Sequence, residues 1–102
     1  MKEILKLREK IWKQDYLNSD IMKITEAIST LDDTNKKLSK DTKIKNEEKN
    51  IILNQEVKNI KNLIAAYTKK NRTVPWEILQ LELVINKFLK DIALKSNKTI
   101  IL

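Results

Sequence analysis

The clearest pattern along the chain is a pair of apolar stripes between residues 53 and 94. In the first stripe, apolar residues recur at alternating spacings of four and three: Leu53, Val57, Ile60, Ile64 and Tyr67. The second stripe alternates in the same way: Ile78, Leu81, Ile85, Phe88 and Ile92. Because an α-helix has about 3.6 residues per turn, each set lies on one helical face. The pattern predicts two amphipathic helices.

The segment between the stripes carries residues that end one helix and begin another. We expect Asn71 to take the left-handed conformation that often ends a helix. We expect Thr73 to cap the next helix, with Pro75 in its first turn, where a missing N–H leaves no intrahelical bond unmade. So short a connection, at residues 71–74, predicts an antiparallel helical hairpin.

Two more helices are predicted before the hairpin. Residues 2–17 place Ile4, Leu7 and Ile11 on one face, and residues 19–38 repeat the pattern with Ile21, Ile24, Ile28 and Leu31. The capping cluster Asn18-Ser19-Asp20 predicts a break between them, although one long bent helix stays open as an alternative. Trp12 is expected to be a packing residue rather than a platform for a ligand, because large aromatic side chains bury well.

Residues 32–50 carry charges of both signs, and only Leu38 and Ile44 are apolar. This composition predicts a solvated loop or frayed helix ends. Glu47 and Glu48 are adjacent, and neighbouring helical residues do not face each other, so they are not expected to form a catalytic acid pair.

The whole chain is therefore predicted to be all-α, a single domain (1–102) folded as an antiparallel four-helix bundle. The predicted helices are 2–17, 19–38, 44–70 and 74–95, with a tail at 96–102. The last helix has a broad apolar face that suits the centre of a bundle. That face comprises Trp76, Leu81, Val84, Ile85, Phe88, Leu89 and Ile92.

The amino-acid composition excludes several kinds of catalytic and metal site. The 102 residues include no Gly, Cys or His and only one Pro. Sheets with tight turns usually need Gly, so its absence favours helices. Without Cys or His the chain lacks disulfides, His-based triads and nearly every kind of zinc site. We expect a protein that is not an enzyme and that holds no metal or cofactor.

The start of the chain and its apolar runs bear on location. No apolar segment follows Met1-Lys2-Glu3-Ile4, so a signal peptide is not predicted. The longest apolar runs fall short of the roughly 20 residues that span a bilayer. We therefore expect a cytoplasmic protein, of which a minor fraction associates with the membrane surface.

The net charge of +7 comes mostly from lysine, since 19 of the 21 cations are Lys. Four cations form one stripe about 120° from the apolar stripe of the third helix: Lys58, Lys61, Lys69 and Arg72. The stripe is either a solvated face whose last cations suit the helix dipole or a docking surface for an anionic partner or lipid headgroups. Scarce Arg argues against specific nucleic-acid recognition.

The carboxy terminus is apolar beside two cations. Ile100, Ile101 and Leu102 follow Lys95 and Lys98. Three consecutive apolar residues at a chain end either pack back onto the bundle or contact a partner. These five residues therefore join the four-cation stripe as candidates for partner binding.

The hairpin resembles a known family. Residues 62–76, NLIAAYTKKNRTVPW, lead into the Leu/Ile/Phe helix. They are similar to the hairpin of immunity proteins for pediocin-like (class IIa) bacteriocins. That family's pattern is an apolar helix ending in an aromatic residue, a basic turn, a Thr or Pro start, and a last amphipathic helix. The specific match covers about a third of the chain.

The resemblance implies a cytosolic four-helix bundle that protects a producer cell from its own bacteriocin. Such proteins act at the bacteriocin's membrane receptor, the mannose phosphotransferase permease, and their carboxy-terminal half sets which bacteriocins are countered. A monomer is expected. Two other functions stay open: a helical inhibitor or regulator from a mobile element, and a bundle that binds nucleic acid weakly through the Lys58–Arg72 stripe.

Overall fold

The computed structural model describes residues 1–14, 17–71 and 73–96, apart from the side chains of residues 95 and 96. These ranges contain four helices and no strand, which confirms the all-α prediction. The helices are α1 (Lys2–Gln14), α2 (Ser19–Lys40), α3 (Asn46–Lys70) and α4 (Trp76–Ser96).

Each helix packs against two neighbours in a closed ring. α1 contacts α2 and α4, and α3 contacts the same two helices. Within the described ranges, the diagonal pairs α1–α3 and α2–α4 make no close backbone contact. Short connections make consecutive helices antiparallel. The structure thus confirms the predicted four-helix bundle.

The core follows the predicted stripes. All four helices direct branched aliphatic side chains inward, and most are almost fully buried. Burying one such side chain contributes about 1.5–3 kcal/mol. The most deeply buried are Ile24, Ile28, Leu31, Ile60, Ile78, Leu81 and Ile85, all with no exposed surface.

The junction between α1 and α2 is a true break. The described part of α1 runs to Gln14, and Leu17 lies exposed in a turn, so the helix does not include residue 17 as predicted. The Asn18 side chain caps α2 by accepting hydrogen bonds from the N–H groups of Asp20 (2.9 Å) and Ile21 (3.3 Å). Since α1 and α2 also pack against each other, they are two helices rather than one bent helix.

The charged stretch 32–50 is more ordered than its composition predicted. α2 continues to Lys40 and α3 begins at Asn46, so only residues 41–45 lie outside helices. Thr34 donates its hydroxyl to Glu56 Oε1 on α3 (2.7 Å). Asp32 is nearly buried and pairs with Lys36 at 3.0 Å. Of the two predicted alternatives, a solvated loop describes only residues 41–45, and the two helices lie within two residues of their predicted bounds at 38 and 44.

The α3–α4 turn lies where predicted but uses different residues. Asn71 is extended (φ −119°, ψ 128°), not left-handed, and both its backbone N–H and its side-chain Nδ2 donate to the Tyr67 carbonyl. The Pro75 carbonyl accepts the N–H groups of Ile78 (3.0 Å) and Leu79 (3.4 Å). Pro75 therefore takes the cap position expected for Thr73.

α4 is rotated relative to the broad face predicted for it. Leu81 and Ile85 are fully buried, whereas Val84, Phe88, Leu89 and Ile92 are half-buried at the core's margin. Trp76 is 64% exposed, which contradicts its assignment to this face. The reason is angular: at about 100° per residue, the nine positions from Trp76 to Ile85 place them on opposite sides of the helix.

Candidate functional site

The lysine row on α3 comprises Lys58, Lys61 and Lys69, and all three are exposed. Its ends are 11 residues apart, about 16 Å along the helix axis. Glu56 does not neutralise the row, because its carboxylate accepts a hydrogen bond from Thr34 on the α2 side of the helix. Within the described ranges, ion pairs join other lysines and none of these three. The row is therefore open to an anionic partner.

The other predicted contact residues cannot be placed beside this row. Arg72, Lys98, Ile100, Ile101 and Leu102 lie outside the described residues. Lys95 belongs to the last turns of α4, but its side chain is also outside the described part. These six residues stay candidates on sequence grounds.

A second surface, which the sequence analysis missed, lies on the outward side of α4. Its apolar side chains lie within about 60° of one another around the helix, and Lys87 and Lys90 lie on the same side. We call this set the α4 outer face: Trp76, Leu79, Leu83, Lys87, Lys90 and Leu94. Leu83 is 69% exposed. The signal was present in the sequence, since these residues follow helical spacing opposite the buried stripe.

More lysines flank the α4 outer face along the seam with α1. Lys6 and Lys10 of α1 line a shallow groove of about 290 Å³ together with Gln80 and Leu83 of α4. Glu3 lines the same groove, so the seam is mixed in charge but has more cations than acids. Positive charge is thus placed both within the α4 outer face and along one side of it.

A larger groove, about 850 Å³, lies between α1 and α2. Arg8 donates to Ser29 Oγ (2.5 Å), and Ser29 Oγ donates to the Thr25 carbonyl (3.1 Å), which ties the two helices together. Trp12 lines the groove and is 41% exposed, so it packs at the surface between the two helices and not in the buried core. Charges of both signs line the groove, which gives it no preference for one ionic class: Glu9, Lys13 and Glu26.

The acidic residues of the described part are dispersed along the helices or serve helix ends. The described residues include no cluster of three or more acidic side chains able to hold a metal ion. Glu47 and Glu48 lie exposed in the first turn of α3, where carboxylates favour the helix dipole. Two surfaces stand out among the described residues: the lysine row and the α4 outer face.

None of the described helices is long and apolar enough to cross a membrane. Comparison with known proteins gives no match to a family model, a curated protein or a solved structure.

Proposed function

We propose that this chain is an immunity protein, which protects a bacteriocin-producing cell from a class IIa bacteriocin. The observation that carries the proposal is the hairpin at residues 62–76, whose sequence resembles the hairpin of that family. In the bundle this segment forms the end of α3, the turn and the first residue of α4. A four-helix bundle is also the fold that the resemblance implies.

The proposed action is binding without catalysis. The protein works in the cytoplasm, on the cytosolic side of the mannose phosphotransferase permease when that receptor carries bacteriocin. It acts as a monomer and needs no cofactor. The composition supports this mode, because a chain without Cys or His lacks the thiolate nucleophile and the side chain that most often transfers protons in catalysis.

The lysine row is the proposed contact with acidic groups on the receptor complex. Lys58, Lys61 and Lys69 are exposed, and none of them forms an ion pair within the described ranges. Positive rows of this kind steer an anionic partner toward the correct face. Arg72 and the carboxy-terminal candidates, Lys95, Lys98 and Ile100–Leu102, extend the same proposal on sequence grounds.

The experiment is capture of the permease by the tagged full chain from detergent-solubilised membranes, with and without a class IIa bacteriocin. The proposal predicts capture only when the bacteriocin is present. Equal capture without bacteriocin, or none with any member of a broad panel, would count against it.

Matched charge reversals test the contact surface. Lys58→Glu, Lys61→Glu and Lys69→Glu together should abolish capture. The control reverses three exposed lysines of α2 and the loop after it: Lys23, Lys40 and Lys43. This control lowers the net charge by the same amount as the reversal of the row. Like the row, which includes Lys69, it includes one lysine from the last turn of a helix, Lys40. If the control loses capture to the same degree, total charge rather than the row determines binding.

A further inference from the structure

The α4 outer face is a long surface whose apolar residues the bundle leaves exposed. Its ends, Trp76 and Leu94, are 18 positions apart, about 27 Å along the helix axis. The opposite side of the same helix is fixed in the core by Ile78, Leu81 and Ile85. The face can therefore meet a flat partner along its whole length without any unfolding of the bundle.

The apolar residues of this face suit the boundary of a lipid bilayer. Trp76, at one end, has the amphipathic ring that favours the headgroup level. Leu79, Leu83 and Leu94 are exposed on the same line and can enter the outer part of the acyl region. Together they form the apolar side of an interfacial amphipathic helix whose other side is the protein core.

The charges of the face select anionic lipid. Its only charged side chains are Lys87 and Lys90, whose stems can lie along apolar surface while their ammonium groups reach phosphates. Each lysine near an anionic membrane strengthens binding by about fivefold. The nearest acids on α4, Glu82 and Asp91, lie on the two flanks of the face, and Asp91 lines a shallow groove with Lys87 and with Glu3 of α1. Lys2, Lys6 and Lys10 on the same side of α1 keep the surroundings of the face positive.

Other occupants fit this face less well. A second copy paired antiparallel along the whole face would set Lys87 against Leu83 and Lys90 against Leu79 and Gln80 of the other chain. Both lysines would then be buried without a carboxylate, between two chains that each carry a net charge of +7. A protein partner that covers the apolar residues of this face would also have to bury Lys87 and Lys90, because they lie between Leu83 and Leu94, and a buried ammonium group without a carboxylate partner is costly. At a lipid surface the same lysines reach the headgroups and water.

We propose that the α4 outer face docks the folded bundle onto an anionic lipid bilayer. The bundle lies on the surface with α4 parallel to the membrane plane. This goes beyond the immunity function, because docking needs neither bacteriocin nor permease.

The test is co-sedimentation of the purified full chain with vesicles. One set contains phosphatidylcholine alone, and the other contains equal parts of phosphatidylcholine and phosphatidylglycerol. The expected result is binding to the second set and at least tenfold weaker binding to the first. Equal binding to both sets, or binding to neither, would overturn the proposal.

Paired variants assign the binding to the face. Leu83→Glu puts a carboxylate in its centre and should weaken binding to anionic vesicles at least tenfold. Ile51→Glu makes the same change at a 61% exposed site on the outside of α3 and should change binding less than twofold. Both residues are exposed, so both variants should fold. An equal loss in the two variants would overturn the assignment.

Tryptophan fluorescence gives a second readout. In Trp12→Phe the remaining indole is Trp76, which should shift to shorter wavelength and be quenched by brominated lipid. In Trp76→Phe the remaining indole is Trp12 in the α1–α2 groove, which should show neither effect. If instead Trp12 shifts and is quenched while Trp76 does neither, the docking surface lies at the α1–α2 groove.

The charge reversal of the lysine row is a further comparison. If reversal of Lys58, Lys61 and Lys69 abolishes vesicle binding and Leu83→Glu does not, the docking surface is the lysine row. Either outcome would overturn the proposal.

Discussion

Trp76 and Ile85 lie on opposite sides of α4: Trp76 is largely exposed, whereas Ile85 has no exposed surface. One helix therefore carries two apolar faces, one packed into the bundle and one open. Only the inner face supports folding, so matched substitutions on the two faces should separate stability from binding.

Ile85→Ala should lower the free energy of unfolding by about 2–5 kcal/mol, because it leaves a cavity in a fully packed core. The control, Leu83→Ala, removes an exposed side chain two positions away and should cost less than about 0.5 kcal/mol. Urea denaturation followed by circular dichroism measures both. Similar losses in the two variants would show that α4 is not rotated as described.

Thr34→Ala should destabilise the bundle by about 1.5–3 kcal/mol. The Thr34 hydroxyl binds Glu56 Oε1, and the other carboxylate oxygen, Oε2, is buried without a hydrogen-bond partner among the described residues. The substitution leaves both oxygens unpartnered. Thr30→Ala, at an exposed site whose hydroxyl binds only the Glu26 carbonyl, is the control and should be nearly neutral. Equal effects in urea denaturation would mean that the α2–α3 bond contributes nothing.

Asn18→Ala should cost about 0.5–2 kcal/mol, because it removes the acceptor for two N–H groups at the start of α2. Asn18→Gly should cost only a few tenths of a kcal/mol, since Gly is itself tolerated at an N-cap. Thermal unfolding distinguishes the two. A neutral Ala variant would show that the cap is not needed.

Nucleic-acid binding through the lysine row should be weak and should disappear by about 0.15–0.2 M salt. The row is built from Lys, and the aromatic residue within its span, Tyr67, is buried and so offers no surface on which bases can stack. Fluorescence anisotropy with a labelled duplex over a salt series measures this. Sequence-selective binding at the higher salt would favour the nucleic-acid hypothesis over immunity.

Periodicity predicted the inner residues of this bundle well because burial on a helix is mainly a question of angle. The stripes through Ile60 and Ile85 are buried as expected, and the capping chemistry of Asn18 marked a real helix start. The prediction that Trp76 is buried was wrong because it relied on the apolar residue type, whereas the position of Trp76 around α4 is opposite that of Ile85. Its outward position, once seen, also reveals the α4 outer face.

Other features depend on contacts that no local pattern contains. Thr34 and Asp32 lie in a charged stretch, yet Thr34 binds a side chain on α3 and Asp32 is nearly buried. Asn71 has the residue type of a left-handed cap, but it closes α3 from an extended conformation through two bonds to Tyr67. The position of the lysine row around α3 predicted correctly that its lysines are exposed. The molecule that binds the row cannot be read from that position.

The most direct test of the immunity function is growth of a sensitive bacterium that expresses the full chain, challenged with a broad panel of class IIa bacteriocins. The account predicts resistance to one bacteriocin or a narrow subset, with unchanged sensitivity to the others and to an unrelated pore-forming peptide. Cells that remain as sensitive as vector controls to every member of the panel, despite confirmed expression of the folded protein, would contradict it.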